Sequence, residues 1–553
     1  MKAFTEPLLS LAGFEEMTKT AEKSSGLISV TGCIDAQKSQ MIYAFGGHRK
    51  NKLIVTFGEQ KAKELYDEYS FFDKEVVYYP SKDVLFYQSD IRGNLLTAER
   101  IRALKAIREQ ERVTLVTTFD ALMNTMAPIE KMWENVLTLE QGQLLDLKEI
   151  QAALIRMGYE KEYQVQTMGQ FSVRGGILDV FPLTEENPIR IELWGDEIDT
   201  IRYFDCESQK SIENTDRVSI YPAAELVLSD EEKAGGIEKL KAEAKRVSDK
   251  LRKQMKTEEA HRVTVMADEL TEEWGELSMY AGMDAFLSYF FDERVGLLDY
   301  FKPSDSLIFF DELTRCTEQG KLTETEFSES MKQRLAMGYI LPGQMNGLFT
   351  EKEIVAKLEK YSCIALGALD NKANGLHQLG SYGIHCQSVS PYNNSFELLI
   401  KDLKRYKKNG YRVILLSGSR TRAKRLSEDI TDQGITCFYT ENYDHELFEG
   451  QIMVCYGKVR RGFEYPILKF AVITESDIFG AQQKKKKRHR TYEGEKIQSF
   501  TDLSVGDYVV HENHGLGIYR GIEKLEVDKK VKDYIKIEYQ GGSNLYILAT
   551  QLD

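Results

Sequence analysis

Eight residues near the N-terminus carry most of the parts of a phosphate site. Gly32-Cys33-Ile34-Asp35-Ala36-Gln37-Lys38-Ser39 follows a β-rich apolar run and opens a helical one. This order approaches the loop G-x-x-x-x-G-K-[ST]. In that loop backbone N–H groups cradle the phosphates, the lysine reaches the β- and γ-phosphates, and the hydroxyl holds Mg²⁺. Gly32, Lys38 and Ser39 fit. Gln37 stands where glycine is expected, and puts a side chain where the phosphate should lie. The loop reads as a relic that does not hydrolyse ATP, with residual nucleotide binding as the alternative.

Such a loop needs a second element, a strand ending in carboxylates. Leu307-Ile308-Phe309-Phe310-Asp311-Glu312 has that form. Its Asp would hold Mg²⁺ and its Glu would orient water. Taken alone, it reads more simply as a buried strand with two surface carboxylates. Further on, Val413-Ile414-Leu415-Leu416-Ser417-Gly418-Ser419-Arg420 and the run Arg422 to Ile430 resemble a second helicase lobe, and Val459-Arg460-Arg461-Gly462-Phe463, after a strand, resembles its R-x-G-x motif. No Q-x-x-G-R-x-x-R motif follows Phe479. An ATPase without a good phosphate loop or an arginine finger lacks both positioning and charge stabilisation. The chain passes instead into Lys484-Lys485-Lys486-Lys487-Arg488-His489-Arg490. Without interleaved aromatics this run reads as a solvated linker, able to touch nucleic acid only electrostatically.

A different chemistry is suggested by Arg174-Gly175-Gly176, Arg190 and Trp194. Arg and Trp are common anchors of protein interfaces. Arg190, Glu192 and Trp194 alternate onto one strand face. A half-buried sheet face explains them equally well. The histidines show no metal-ligand spacing, and the seven cysteines form no C-x-x-C pair. Their wide spacing suggests reduced thiols in a cytoplasm.

The elements that must position these residues follow from hydrophobic periodicity. Strands are expected at Gly26 to Thr31, Leu53 to Phe57, Val76 to Tyr79 and Val113 to Thr117, with helices at Lys38 to Phe45, Glu59 to Tyr69 and Thr97 to Gln110. This alternation implies a parallel sheet with crossover helices. From Met132 to Pro222 short strands predominate, so a small α+β insertion is expected. Ser229 to Glu259 reads as one long solvated helix. The α/β pattern resumes at Ser306 to Phe310. It continues in a unit with strands at Arg412 to Leu416, Ile435 to Phe438, Ile452 to Tyr456 and Phe470 to Thr474. Leu503 to Asp553 reads as a compact antiparallel β unit punctuated by glycines. With 553 residues, several cores are required. Lys+Arg 73 against Asp+Glu 87 gives a net charge of −14, so overall charge does not hold the chain on nucleic acid. No run has the ~18 apolar residues of a membrane helix, and no signal peptide is recognisable.

Three stretches together resemble the bacterial transcription-repair coupling factors. Gln170-Phe171-Ser172-Val173-Arg174-Gly175-Gly176-Ile177-Leu178-Asp179-Val180-Phe181-Pro182 and Trp194-Gly195-Asp196-Glu197-Ile198-Asp199-Thr200-Ile201-Arg202 are similar to the domain that family shares with the excision-repair protein UvrB. Val505-Gly506-Asp507-Tyr508-Val509-Val510-His511 with His514-Gly515-Leu516-Gly517-Ile518-Tyr519 is similar to the CarD-like RNA polymerase-interacting domain.

The resemblance implies an α/β multidomain chain. Degenerate P-loop helicase-like (UvrB-like) lobes would carry an α+β insertion, followed by a small all-β Tudor/CarD-like domain. The expected boundaries are 1–127 for lobe 1a with the degenerate loop, 128–217 for the UvrA-binding insertion and 218–390 for lobe 1b. A degenerate helicase-like domain would span 391–481, a basic linker 482–498 and the polymerase-interacting domain 499–553. By motif, Arg174, Arg190 and Trp194 match positions that contact UvrA, although a Phe can stand at the last. Leu525, and more weakly Ile522 and Tyr534, fall at contacts with the RNA polymerase β subunit. Gly32, Gln37, Lys38, Ser39, Asp311 and Glu312 form the degenerate nucleotide site.

The expected function is that of a non-catalytic adaptor, cytoplasmic, with no membrane partner and no cofactor of its own. In the family, ATP and Mg²⁺ serve a DNA-translocating motor that follows the β domain. The chain ends at Asp553, before such a motor, and reads as part of a longer protein. DNA would be met through the missing motor or weakly. A C-terminal domain masks the UvrA-binding face in the family, so that face is expected to be exposed here. The competing readings are a UvrB-like ATP-dependent enzyme acting on damaged DNA, and a CarD-like transcription regulator with unrelated N-terminal domains.

Overall fold

The computed structural model describes residues 1–45, 49–82, 94–206, 208–276, 283–369, 375–480, 505–511, 515–527, 530–539 and 544–548. The chain divides into a large unit, Met1–Leu85 with Asn94–Gln482, and a small one that includes Gln483–Asp553.

The large unit is built on a seven-stranded sheet in which every pairing is parallel. Its order is Gln378–Gly383, Gly26–Thr31, Ser362–Leu366, Ser306–Asp311, Asn51–Thr56, Val113–Thr118, Val77–Tyr79. Strands from before and after the insertion therefore interleave in one sheet. The central strands are apolar on both faces, as expected when helices cover both sides of a parallel sheet. This order sets the end of Gly26–Thr31, which leads into the phosphate-type loop, two strands from the end of Ser306–Asp311, which carries the carboxylates.

The insertion is a six-stranded sheet, ordered Ser211–Thr215, Glu197–Phe204, Ile189–Trp194, Ile177–Val180, Gln170–Arg174, Glu160–Lys161. Its neighbouring strands pair antiparallel, apart from the parallel outermost pair at Glu160–Lys161. Phe171, Leu178, Val180, Ile189, Ile191 and Ile201 bury one face against the Leu147–Arg156 helix, whose N-cap Asp146 accepts from Lys148 and Glu149 N–H. The opposite face is left polar. Gly175, at φ 62°, makes the tight turn between Arg174 and Ile177.

A third sheet holds Arg412–Ser417, Ile452–Tyr456 and Phe470–Thr474 in parallel, with Phe463–Tyr465 antiparallel to the last. One face packs helices Phe396–Lys408 and Arg420–Asp432. The other shares a single hydrophobic core with Phe4, Met41, Tyr69 and Phe71 of the first α/β region.

Two expectations are corrected. The run Ser229 to Glu259 is not one helix. A capping box at Ser229 and Glu232 starts Asp230–Lys253, the chain turns at Gln254 to Lys256, and Thr257–Glu276 runs back. Leu240, Ala244, Ser248 and Leu251 are buried on the first arm, and Ala260, Val263 and Ala267 on the second. The turn uses Met255 at φ 63°, so neither Gly nor Pro announces it. The strand expected at Ile435 to Phe438 is only Phe438–Tyr439, because Ile435 is buried in the helical core instead.

The small unit is a four-stranded antiparallel sheet, Tyr508–His511, Gly515–Val527, Lys530–Glu538, Asn544–Leu548. The basic run Lys484 to Arg490 and His514 lie outside the described residues. Among the described residues no helix is long and apolar enough to cross a membrane, and no group of three or more His, Cys, Asp or Glu is placed to hold a metal ion. Among the described residues, which include all seven cysteines, no disulfide is formed.

Candidate functional sites

The phosphate-type loop leaves its strand at Gly32, whose φ of 77° is a left-handed conformation. A Cβ there would lie 2.1 Å from the carbonyl oxygen of Ile384. The space beside the loop is therefore filled by the chain's own backbone. The helix that follows, Asp35–Ala44, buries Gln37, Lys38, Ser39 and Gln40. Tyr465, from the third sheet, covers them. Its hydroxyl stands 3.2 Å from Gln37 Oε1 and 3.4 Å from Gln40 Oε1.

Lys38 is almost fully buried and faces three carboxylates. Its Nζ lies 2.5 Å from Asp311 Oδ1, 3.0 Å from Glu312 Oε1 and 3.1 Å from Asp35 Oδ1. Burial alone would push the ammonium down, but Asp311, then Asp35 and Glu312, outweigh it and hold its pKa above the ordinary lysine range. Burial would raise the Asp35 carboxyl, yet Lys61 and Lys38 bring it down to about 2. Asp311 is also tied by Thr56, whose hydroxyl donates at 2.9 Å. Glu312 adopts φ 59°, strained for a non-glycine residue, and accepts from Ala368 N–H. The structure thus brings together all six residues expected at the nucleotide site. Lys38 is paired with Asp311 and Glu312 of the same set, where a phosphate and a metal ion would be needed. Ser39 Oγ is buried with no hydrogen-bond partner. This set does not fit a nucleotide with Mg²⁺: the lysine is already neutralised by carboxylates, and the start of the helix, where the phosphates would sit, is buried under Tyr465.

The polar face of the insertion is organised by Asp179, a buried carboxylate. Ser172, Asp179, Arg190 and Arg202 lie in one register row across four strands. Arg190 donates to both oxygens of Asp179, at 2.7 and 2.8 Å, and to Gln209 Oε1 at 2.8 Å. Its guanidinium sits 4.3 Å from the Phe204 ring centroid. Arg174 reaches the same Asp179 at 2.9 Å. Glu192 pairs with Arg202 on the same face. Trp194 ends its strand beside the Gly195 turn and is 84% exposed. Arg174, Arg190 and Trp194 thus occupy one sheet face, as the alternation implies. Arg190 is mostly buried, Arg174 partly exposed and Trp194 free. Reading the sequence missed Asp179, Phe204 and Gln209, although the Asp in I-L-D-V falls on the polar parity of its strand.

In the small unit Ile522 and Leu525 lie on Gly515–Val527, opposite Ile535 and Lys532, and Tyr534 lies opposite Glu523. The side chains of all three lie outside the described residues. Tyr508–His511 pairs only with residues 515–518. Among the described residues, the backbone edge around Leu525 therefore has no second neighbouring strand.

Comparison with known proteins matches both regions. Residues 137–226 match the family model described as the UvrB interaction domain, and residues 503–553 the one described as the CarD-like/TRCF RID domain. The chain is 30% identical over 503 residues to the transcription-repair-coupling factor of Bacillus subtilis, which covers 90% of this chain and 42% of that protein. It is 29% identical over 538 residues to that of Staphylococcus haemolyticus, covering 95% of this chain and 44% of the relative. For Staphylococcus aureus the identity is 28%, with 98% and 46% covered. The chain therefore resembles these proteins along nearly all its length, and spans less than half of theirs.

Proposed function

We propose that this chain is the non-catalytic, partner-recruiting part of a transcription-coupled DNA repair factor. The insertion binds UvrA through the face holding Arg174, Arg190 and Trp194. The small β unit binds the RNA polymerase β subunit through the strands bearing Ile522, Leu525 and Tyr534. The chain needs no cofactor for either task; any ATP and Mg²⁺ chemistry belongs to a motor outside it.

The observation that carries this reading is Trp194. A large aromatic 84% exposed at the end of the strand that carries Arg190 is not explained by packing. It suits an interface hot spot: an exposed aromatic anchor on a strand whose arginine is already ordered. Bidentate pairing to Asp179 fixes Arg190 before the partner arrives. The covered phosphate loop supports the absence of catalysis and weighs against the UvrB-like enzyme.

The test is UvrA binding by the chain and by Trp194→Ala. The exposed indole contributes little to folding, so the melting temperature should hold. Affinity should fall at least ~30-fold, corresponding to a hot spot of ~2 kcal/mol. Unchanged affinity would refute the assignment of this face. ATP turnover by the chain that is lost in a Lys38→Ala variant shown to remain folded would restore the enzyme reading.

A further inference from the structure

The chain is acidic overall, yet the later turns of one exposed helix are basic. Residues 237–256, on the outer part of the Asp230–Lys253 arm and the turn after it, carry eight Lys or Arg against three Asp or Glu, a local charge of +5. Lys239 pairs with Asp292, and Arg246 with Glu243. Lys241, Lys245, Lys250, Arg252, Lys253 and Lys256 are exposed, and among the described residues none lies in an ion pair. The buried stripe Leu240, Ala244, Ser248 and Leu251 faces the second arm, which puts these cations on the solvent side.

A helix C-terminus attracts cations, which accounts for Lys250, Arg252 and Lys253 in the last turn. That effect does not reach Lys241 and Lys245, two to three turns earlier. Helical residues rise ~1.5 Å each, so Lys241 to Lys253 spread their cations over ~18 Å of the exposed side, with the acidic Glu243, paired to Arg246, and Asp249 among them. Such a row, positive in net terms, suits a polyanion.

We propose that the outer face of this helical arm binds the phosphate backbone of double-stranded nucleic acid, without reading its sequence. A membrane surface fits less well, because this face has no run of apolar side chains to insert; Met255 at the turn is its one large exposed apolar residue. A single strand fits less well, because the face has no aromatic on which bases could stack. The inference is independent of the two protein interfaces proposed above.

The experiment is fluorescence anisotropy of a labelled 25-base-pair duplex with the whole chain, titrated with NaCl. One variant carries Lys241→Gln, Lys245→Gln, Lys250→Gln and Lys253→Gln. A second replaces the same four lysines with Arg. A third neutralises Lys484 to Lys487, the other basic stretch. The first should weaken binding at least ~10-fold and flatten the log–log salt slope by about 3 to 4, near 0.9 per lost phosphate contact. The Arg variant should bind as the parent does. Should the fourfold change unfold the arm, Lys245→Glu alone should still weaken binding several-fold. The proposal is overturned if the first variant binds like the parent, if the third alone removes all binding, or if the chain binds phosphatidylserine vesicles and no duplex.

Discussion

At the residue scale, the informative side chains are those already neutralised by their neighbours. Lys38, at the lysine position of the phosphate-type loop, is held by Asp311, Glu312 and Asp35. A buried ion cluster stabilises little in net terms, but removing one member leaves uncompensated charge. Lys38→Ala should therefore destabilise the chain by ~3 to 5 kcal/mol, read by denaturant melts. Lys38→Ala combined with Asp311→Asn should recover part of that loss, and no loss at all would contradict the account. Glu68 offers a pH test. Burial pushes its carboxyl up to about 7, against the pull of Lys61 and Arg460. A raised acid binds its proton more tightly in the folded chain, so its stabilising share falls as pH rises from 4.5 through 7. Glu68→Gln should leave stability near pH 5 unchanged and raise it at pH 8 by up to ~3 kcal/mol. A larger gain at pH 5 than at pH 8 would reverse the sign and rule it out. Arg190 is a poorer probe than Trp194, because Arg190→Ala also strips a partner from buried Asp179.

At the element scale, period and punctuation made most of the secondary structure legible. Glu59–Tyr69, Ile189–Trp194 and Phe470–Thr474 lie where the sequence places them, because the first is an amphipathic run and the other two are rich in β-branched or alternating apolar residues. The turn at Met255 was not legible, since it depends on two helical arms burying each other, which is a tertiary contact. Gly235-Gly236 shows the same limit. It looks like a weak point in a helix, yet a Cβ on Gly236 would meet the Phe290 ring at 2.1 Å. Gly236→Ala, which intrinsic propensity would favour, should instead destabilise by ~1 to 3 kcal/mol through overpacking. Gly235→Ala, with open space around it, should be neutral or stabilising, and thermal melts of the two variants decide it. The candidate sites divide in the same way. The arginines, Trp194 and the carboxylates after Phe310 could be found from type and spacing. Tyr465 could not, because 428 residues separate it from Gln37 in the sequence.

At the scale of the whole molecule, the two proposed recruiting surfaces lie on separate sheets, that of the insertion and that of the small β unit. The core shared between the first α/β region and the third sheet puts Tyr465 against Gln37 and Gln40. The insertion and the small β unit present the sites. Each surface should then fail separately: Trp194→Ala should lose UvrA and keep polymerase, and Leu525→Arg should do the reverse. The most direct measurement is a sedimentation-velocity run of the chain with UvrA and the RNA polymerase β subunit together, without nucleotide on this chain's account. The account predicts one complex containing all three, reduced to the corresponding pair by either substitution. Mutually exclusive binding of the two partners, or loss of both by either single substitution in a folded chain, would contradict it.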